Sequence, residues 1–133
     1  MKYIFLVLSI FIIYSCSNEG TYTKAADAQD AGREFIRASL DGDMKKAQFY
    51  LVQDSANQYI FNYFRDNYNK YSPEEKNAYR NATIRPIRIQ PLDDSTVNYV
   101  YSNSYKPSDT TVLKVVKVNG EWLIDLKSLR SKE

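Results

Sequence analysis

The side chains able to do chemistry in this chain are few, and their types set narrow limits. There is no histidine among the 133 residues. That excludes a Ser-His or Cys-His nucleophile pair, a histidine general base and any histidine metal site. The single cysteine, Cys16, excludes an internal disulfide and a CxxC motif. What remains for acid–base work is a carboxylate beside a phenol in an apolar pocket. Two carboxylates are candidates, Asp125 on a predicted strand and Asp66 among the aromatics of a predicted helix. Asp125 is expected on the sheet face away from the helices, opposite Lys114, and Asp66 sits between Arg65 and Asn67; both read as solvated charges. Asp41 and Asp43 are close in sequence, but helix capping accounts for them better than a metal does. No catalytic, metal or cofactor-binding residue is assigned, and no cofactor is expected. The richest feature is tyrosine, twelve in all. Tyr59, Tyr63, Tyr99 and Tyr101, with Trp122, are the candidate lining of a pocket. Such rings with polar tips suit a small apolar or sugar ligand. The competing reading is that regularly spaced aromatics are core.

The N-terminus reads as an address. Lys2 precedes an apolar run over residues 3–14, interrupted only by Ser9. The run falls short of the roughly 20 apolar residues a stable span needs, and has the length of a signal-peptide core. Cys16 follows at once, behind Ile13-Tyr14-Ser15. This resembles the bacterial lipoprotein signal, in which a cysteine after an apolar-apolar-small stretch is diacylated and the leader removed. The resemblance implies a signal peptide over residues 1–15, a lipidated, solvated tether over 16–24, a domain over 25–133, and attachment to the membrane of a bacterial cell envelope through N-terminal acyl chains.

These side chains must be positioned by the elements that follow. Apolar residues recur at helical spacing over residues 25–40, with Arg33, Glu34 and Arg37 largely on the other face. Asp41-Gly42-Asp43 ends that helix and caps the next, over 44–52. A third helix is expected over 55–71, with its stripe at Ala56, Ile60, Phe64 and Tyr68. Ser72-Pro73-Glu74-Glu75 is a capping box opening a fourth. From Ala82 the period becomes two. Pro86 and Pro91 place the first strand at an edge or make it bulge. Asn119-Gly120 between two apolar runs signals a tight hairpin, with Lys114 facing Asp125 and Lys117 facing Trp122. Trp122 is expected to point toward the helices. Helices followed by antiparallel strands make an α+β domain, with N-terminal helices packed on a curved sheet of about four strands.

The first helix, the Leu40-Asp41-Gly42-Asp43 break with Ala47 after it, and the closing Val116-Lys117-Val118-Asn119-Gly120-Glu121-Trp122-Leu123-Ile124-Asp125 together resemble the nuclear-transport-factor-two-like, or cystatin-like, cone fold in its small bacterial lipoprotein branch. The likeness spans residues 25–129. It implies a helix in the concavity of a curved sheet and a pocket at the open end, without fixing an activity. Enzymes on this scaffold resemble ketosteroid isomerase or the scytalone-type dehydratases; the latter rely on histidine, which is missing here.

Two surface features complete the reading. Val112, Val116 and Leu123 fall on the outer sheet face and form a candidate interface for a second copy or an envelope protein. Asp54-Ser55-Ala56, Asp94-Ser95-Thr96 and Asp109-Thr110-Thr111 resemble the Asp-Ser/Thr-apolar acceptor used for O-glycans on exported proteins of one large bacterial phylum, making Ser55, Ser95 and Thr110 candidate sites; caps and turns explain the same residues. Eighteen basic against 16 acidic residues offer no electrostatic footprint for nucleic acid. The expected function is that of an envelope lipoprotein with a non-catalytic ligand- or partner-binding domain. A dimerising structural subunit is the first alternative and an acid–base enzyme of isomerase or dehydratase type the second.

Overall fold

The computed structural model describes residues 21–129. Cys16 and the leader lie outside the described residues. Four helices precede four strands: α1 (Ala28–Asp41), α2 (Met44–Phe49), α3 (Ser55–Asn69), α4 (Pro73–Arg80), β1 (Ile84–Asp93), β2 (Thr96–Asn103), β3 (Thr111–Val118) and β4 (Glu121–Asp125), closed by a short 3₁₀ turn over Leu126–Leu129.

Each helix begins on a side-chain cap, because its first N–H groups have no partner within the helix. Asp27, Asp43, Asp54 and Ser72 accept these bonds for α1 to α4 in turn, and Ser72 and Glu75 complete the reciprocal capping box. Gly42 ends α1 at φ 76° and returns its N–H to the Ala38 and Ser39 carbonyls. A side chain there would be strained, and a Cβ would also strike the Tyr68 phenol.

The strands form one antiparallel sheet in the order β1-β2-β3-β4. The Asn119-Gly120 turn, with φ 51° and 78°, sets the register expected from it: Lys114 faces Asp125 and Lys117 faces Trp122. The two prolines of β1 have the anticipated effect twice over. β1 is an edge strand, and its register slips between Pro86 and Arg88 and again between Pro91 and Asp93. Ile87 and Leu92, the residues inserted at those slips, project into solvent.

Several boundaries differ from the sequence reading, α1 starting at Ala28 and α3 ending at Asn69, and two of the differences bear on the sheet. The second helix stops at Phe49, and the chain beyond it joins the sheet. The Ile124 N–H donates to the Tyr50 carbonyl at 2.7 Å, and the Val52 N–H donates to the Ile124 carbonyl at 2.9 Å. A one-rung parallel bridge between Leu51 and Ile124 thus covers the free edge of β4. At the other end, the final strand stops at Asp125 instead of running to Leu129. There the Leu126 N–H turns from the ladder to the Asn57 side chain at 2.7 Å, and the Lys127 N–H to Asp125.

α1 lies across the concave side of the sheet. Ala31, Phe35 and Ile36 pack into one core with Tyr99, Leu113, Val115 and Ile124. Each large apolar side chain so buried contributes about 1.5–3 kcal/mol. At the end of the expected tether Thr21, Thr23 and Lys24 are exposed, while two contacts tie the segment to the domain. Tyr22 packs on Phe49 with ring centroids 5.5 Å apart, and the Tyr50 hydroxyl donates to the Thr23 carbonyl at 2.7 Å.

A candidate ligand cavity walled by aromatic rings

Between α1, α3, α4 and the β2–β3 end of the sheet lies a cavity of about 280 Å³. α1 gives Phe35, Ser39 and Leu40, and α3 gives Phe61, Phe64, Arg65 and Tyr68. Met44 opens α2 at its wall, Tyr71 and Tyr79 close the α4 side, and Tyr101, Thr111 and Leu113 form the sheet floor. The volume is near the lower end of the 300–1,000 Å³ typical of small-molecule sites.

The rings continue into one another. Tyr68 and Tyr71 meet edge-on at 5.8 Å, Tyr71 and Tyr79 stack at 5.3 Å, and Tyr79 meets Tyr105 of the β2–β3 loop at 4.9 Å. Arg37 fixes α4, and with it this wall. Its guanidinium donates to the Ala82 carbonyl at 2.7 Å and the Arg80 carbonyl at 3.0 Å, and pairs with Asp41. The Arg80 carbonyl is one that the end of α4 leaves without a helical partner, and Ala82 lies just past the cap.

Four phenols, of Tyr68, Tyr71, Tyr79 and Tyr101, are among the cavity's polar groups. Burial pushes Tyr101 up to about 12, with a hydrogen bond from Thr111 pulling the other way. Burial also raises Tyr71, reinforced by the neighbouring Tyr79. Arg65 is the one charged side chain in the lining, which contains no carboxylate. A second cavity of about 240 Å³ shares the Ser39, Leu40, Tyr79, Tyr101 and Thr111 walls and opens past Asn103, Lys106 and Asp109. Among the described residues no cluster of carboxylates could hold a metal ion.

Of the aromatics singled out from the sequence, Tyr101 lines the cavity. Tyr99 does not: it is 1% exposed and belongs to the core, because Gly32 lets α1 close directly onto its ring. Tyr59 and Tyr63, 65% and 62% exposed, stand on the outer side of α3. The buried side of that helix runs through Asn57, Ile60 and Phe61, one residue round from the expected stripe. Trp122 faces the helices but is only half-buried, with the Lys117 ammonium 5.5 Å over its ring, and it takes no part in the cavity wall. The rings that sequence reasoning missed as a group are Phe35, Phe61, Tyr68, Tyr71 and Tyr79. The usable signal was the 57/60/61/64/68 spacing on α3, together with two tyrosines flanking a capping box.

The two carboxylates weighed for acid–base work lie elsewhere. Asp66 is exposed beside Arg65. Asp125 does not simply face away from the helices. β4 ends at it, under the first turn of α3, and its carboxylate accepts from the Asn57 amide at 3.3 Å. On the outer sheet face Val112 and Val116 are half-buried, whereas Leu123 is already buried within the single chain and offers little surface to a partner. Ser55, Ser95 and Thr110 are all exposed. Asp54 caps α3, and the Asp93 carboxylate, not that of Asp94, accepts from the Ser95 N–H at 2.8 Å.

No known family model matches this sequence, and no curated protein matches it significantly. The structure is similar to the crystal structure of an NTF2-like protein of unknown function from Shewanella oneidensis MR-1. The TM-score is 0.52 at 16% identity, over 72% of this chain and 89% of that one. At that identity the likeness shows the fold alone, and the fold of this chain is NTF2-like α+β.

Proposed function

We propose that the protein is a non-catalytic envelope lipoprotein that binds a small, largely apolar ligand in the aromatic cavity. One observation carries this reading. The cavity is walled by rings and aliphatic side chains, with phenols, Ser39, Thr111 and Arg65 as its polar groups and no carboxylate in its lining. A carboxylate beside a phenol is what proton-transfer chemistry on such a scaffold needs. An apolar site with a few convergent polar groups is what ligand retention needs. The Cys16 signal supports membrane attachment, the acyl chains supplying about 0.8 kcal/mol per buried methylene.

Ser39 points into both cavities from α1, its hydroxyl spent on the Phe35 carbonyl at 2.8 Å. Ser39→Phe should fill the space. Filling an empty cavity commonly adds about 0.5–2 kcal/mol of stability. The full chain, released from its native membrane in polymer-bounded discs, should carry a small organic molecule that Ser39→Phe lacks while remaining folded. Equal content in both, or none in the parent, contradicts the reading. The intact mass of the same preparation reads acylation at Cys16 and any glycan at Ser55, Ser95 or Thr110.

A further inference from the structure

Resting on that reading, we propose that the ligand is an amphipathic anion, its apolar body among the rings and its carboxylate or phosphate at the Lys106 ammonium. The aromatic wall does not end blindly. It runs from Tyr68 through Tyr71 and Tyr79 to Tyr105, and the next residue, Lys106, brings its ammonium to 5.7 Å from the Tyr79 ring centre and 5.9 Å from that of Tyr105. The cation is thus fixed where the apolar lining gives way to solvent.

Its position is built by the loop and not by chance extension. The Asn103 side-chain oxygen accepts from the backbone N–H groups of Tyr105 and Lys106 at 3.0 and 2.9 Å. That bonding leaves the Asn103 amide NH₂ as a donor on the second cavity, which Asn103 lines beside Lys106. Around the two cavities, which share the Ser39, Leu40, Tyr79, Tyr101 and Thr111 walls, the charged side chains are Arg65 and Lys106 against Asp109 alone, so the balance is positive. Arg65 pairs with Asp66 at 3.3 Å on the first cavity, and Lys106, hydrogen-bonded to Tyr79 and near Asp109, is the cation on the second. A hydrogen bond with the Tyr79 side chain raises the Lys106 ammonium above its ordinary range, and the Asp109 carboxylate adds to it. Hydrogen bonds to an ionised group are roughly twice as strong as neutral ones. A ligand with an anionic head at Lys106 therefore gains over the same body bearing a hydroxyl.

Phenylbutyrate and phenylbutanol share one apolar body and differ in that head. Titrated calorimetrically into the full chain in nanodiscs, with empty discs subtracted, phenylbutyrate should bind about tenfold more tightly. Lys106→Gln should remove the preference, weakening phenylbutyrate about tenfold more than phenylbutanol, and Arg65→Gln should leave the preference intact. Equal binding of both probes to the parent overturns the anionic assignment and keeps the cavity as a ligand site. Loss of the preference in Arg65→Gln but not in Lys106→Gln overturns the placement of the head group. Binding of neither probe overturns both this proposal and the reading it rests on.

Discussion

Replacing Asn57 by leucine is expected to destabilise the domain by about 3 kcal/mol and to lower its melting temperature by roughly 12 °C or more. Asn57 is fully buried. Its side-chain oxygen accepts from the Leu126 N–H at 2.7 Å, and its amide donates to Asp54 at 3.1 Å and Asp125 at 3.3 Å. One side chain thus ties the first turn of α3 to the end of β4. Leucine fills a similar volume but leaves the Leu126 N–H without a partner and Asp125 one donor short. A buried unsatisfied group costs about 1–3 kcal/mol, and more when the group is charged. The backbone N–H of Asn57, together with its side chain and Lys127, holds the Asp54 carboxyl below its ordinary range. The folded pKa is depressed, so this cap contributes fully above the ordinary carboxylate range and is lost as the pH falls through the folded value. The variant, lacking the side-chain bond, should lose less on acidification than the parent. Chemical denaturation at neutral and acid pH measures both effects. A neutral-pH change under 1 kcal/mol would show that the α3–β4 tie contributes little.

A second large effect is expected at Gly32, with a sign opposite to helix propensity. Glycine inside a helix is about 1 kcal/mol less favourable than alanine, so Gly32→Ala on an open helix face would stabilise. Here a Cβ would stand 2.7 Å from Tyr99 Cδ2 and 3.1 Å from its Cγ. Tyr99 is among the largest fully buried side chains, held between Gly32 and the β-sheet, and its ring root has no room to retreat. Overpacking of that kind costs about 1–3 kcal/mol, sometimes more. The packing term wins. Gly32→Ala should lose about 1–2 kcal/mol, and Gly32→Val more than 3 kcal/mol, because the branched residue adds volume and lacks alanine's propensity gain. Equilibrium unfolding of both variants checks the order. A stabilised Gly32→Ala would mean that α1 does not close on Tyr99.

Those two residues also mark where the sequence could be read and where it could not. The capping residues, the Gly42 break, the Asn119-Gly120 turn and the prolines of β1 each act through their own backbone chemistry. Each carries its meaning locally, and the order of elements and the closing hairpin follow from them. The close packing of α1 on the sheet did not follow. Gly32 is silent in a periodicity reading, and only the sheet opposite gives it a role. Asn57 counts as polar in any apolar pattern, so the buried side of α3 was set one residue away and Tyr59 and Tyr63 were drawn into a pocket they do not reach. The cavity itself is made by four helices and two strands. Tyr101 was recognisable as a sheet tyrosine near the open end, but Tyr71 and Tyr79 acquire their stacking only when Arg37 fixes the end of α4, across more than forty residues of chain.

Ligand binding in the aromatic cavity can be read from one methyl group. The sequence has two methionines, Met1 and Met44, and Met44 lines the cavity. Trp122, the one tryptophan, is outside that lining and serves as an internal control. With ¹³C-methyl methionine and labelled tryptophan in the full chain in nanodiscs, saturating phenylbutyrate should shift the Met44 methyl resonance and leave the Trp122 indole unmoved. A Met44 methyl that stays in place while phenylbutyrate is bound, or while Trp122 moves, would contradict the account.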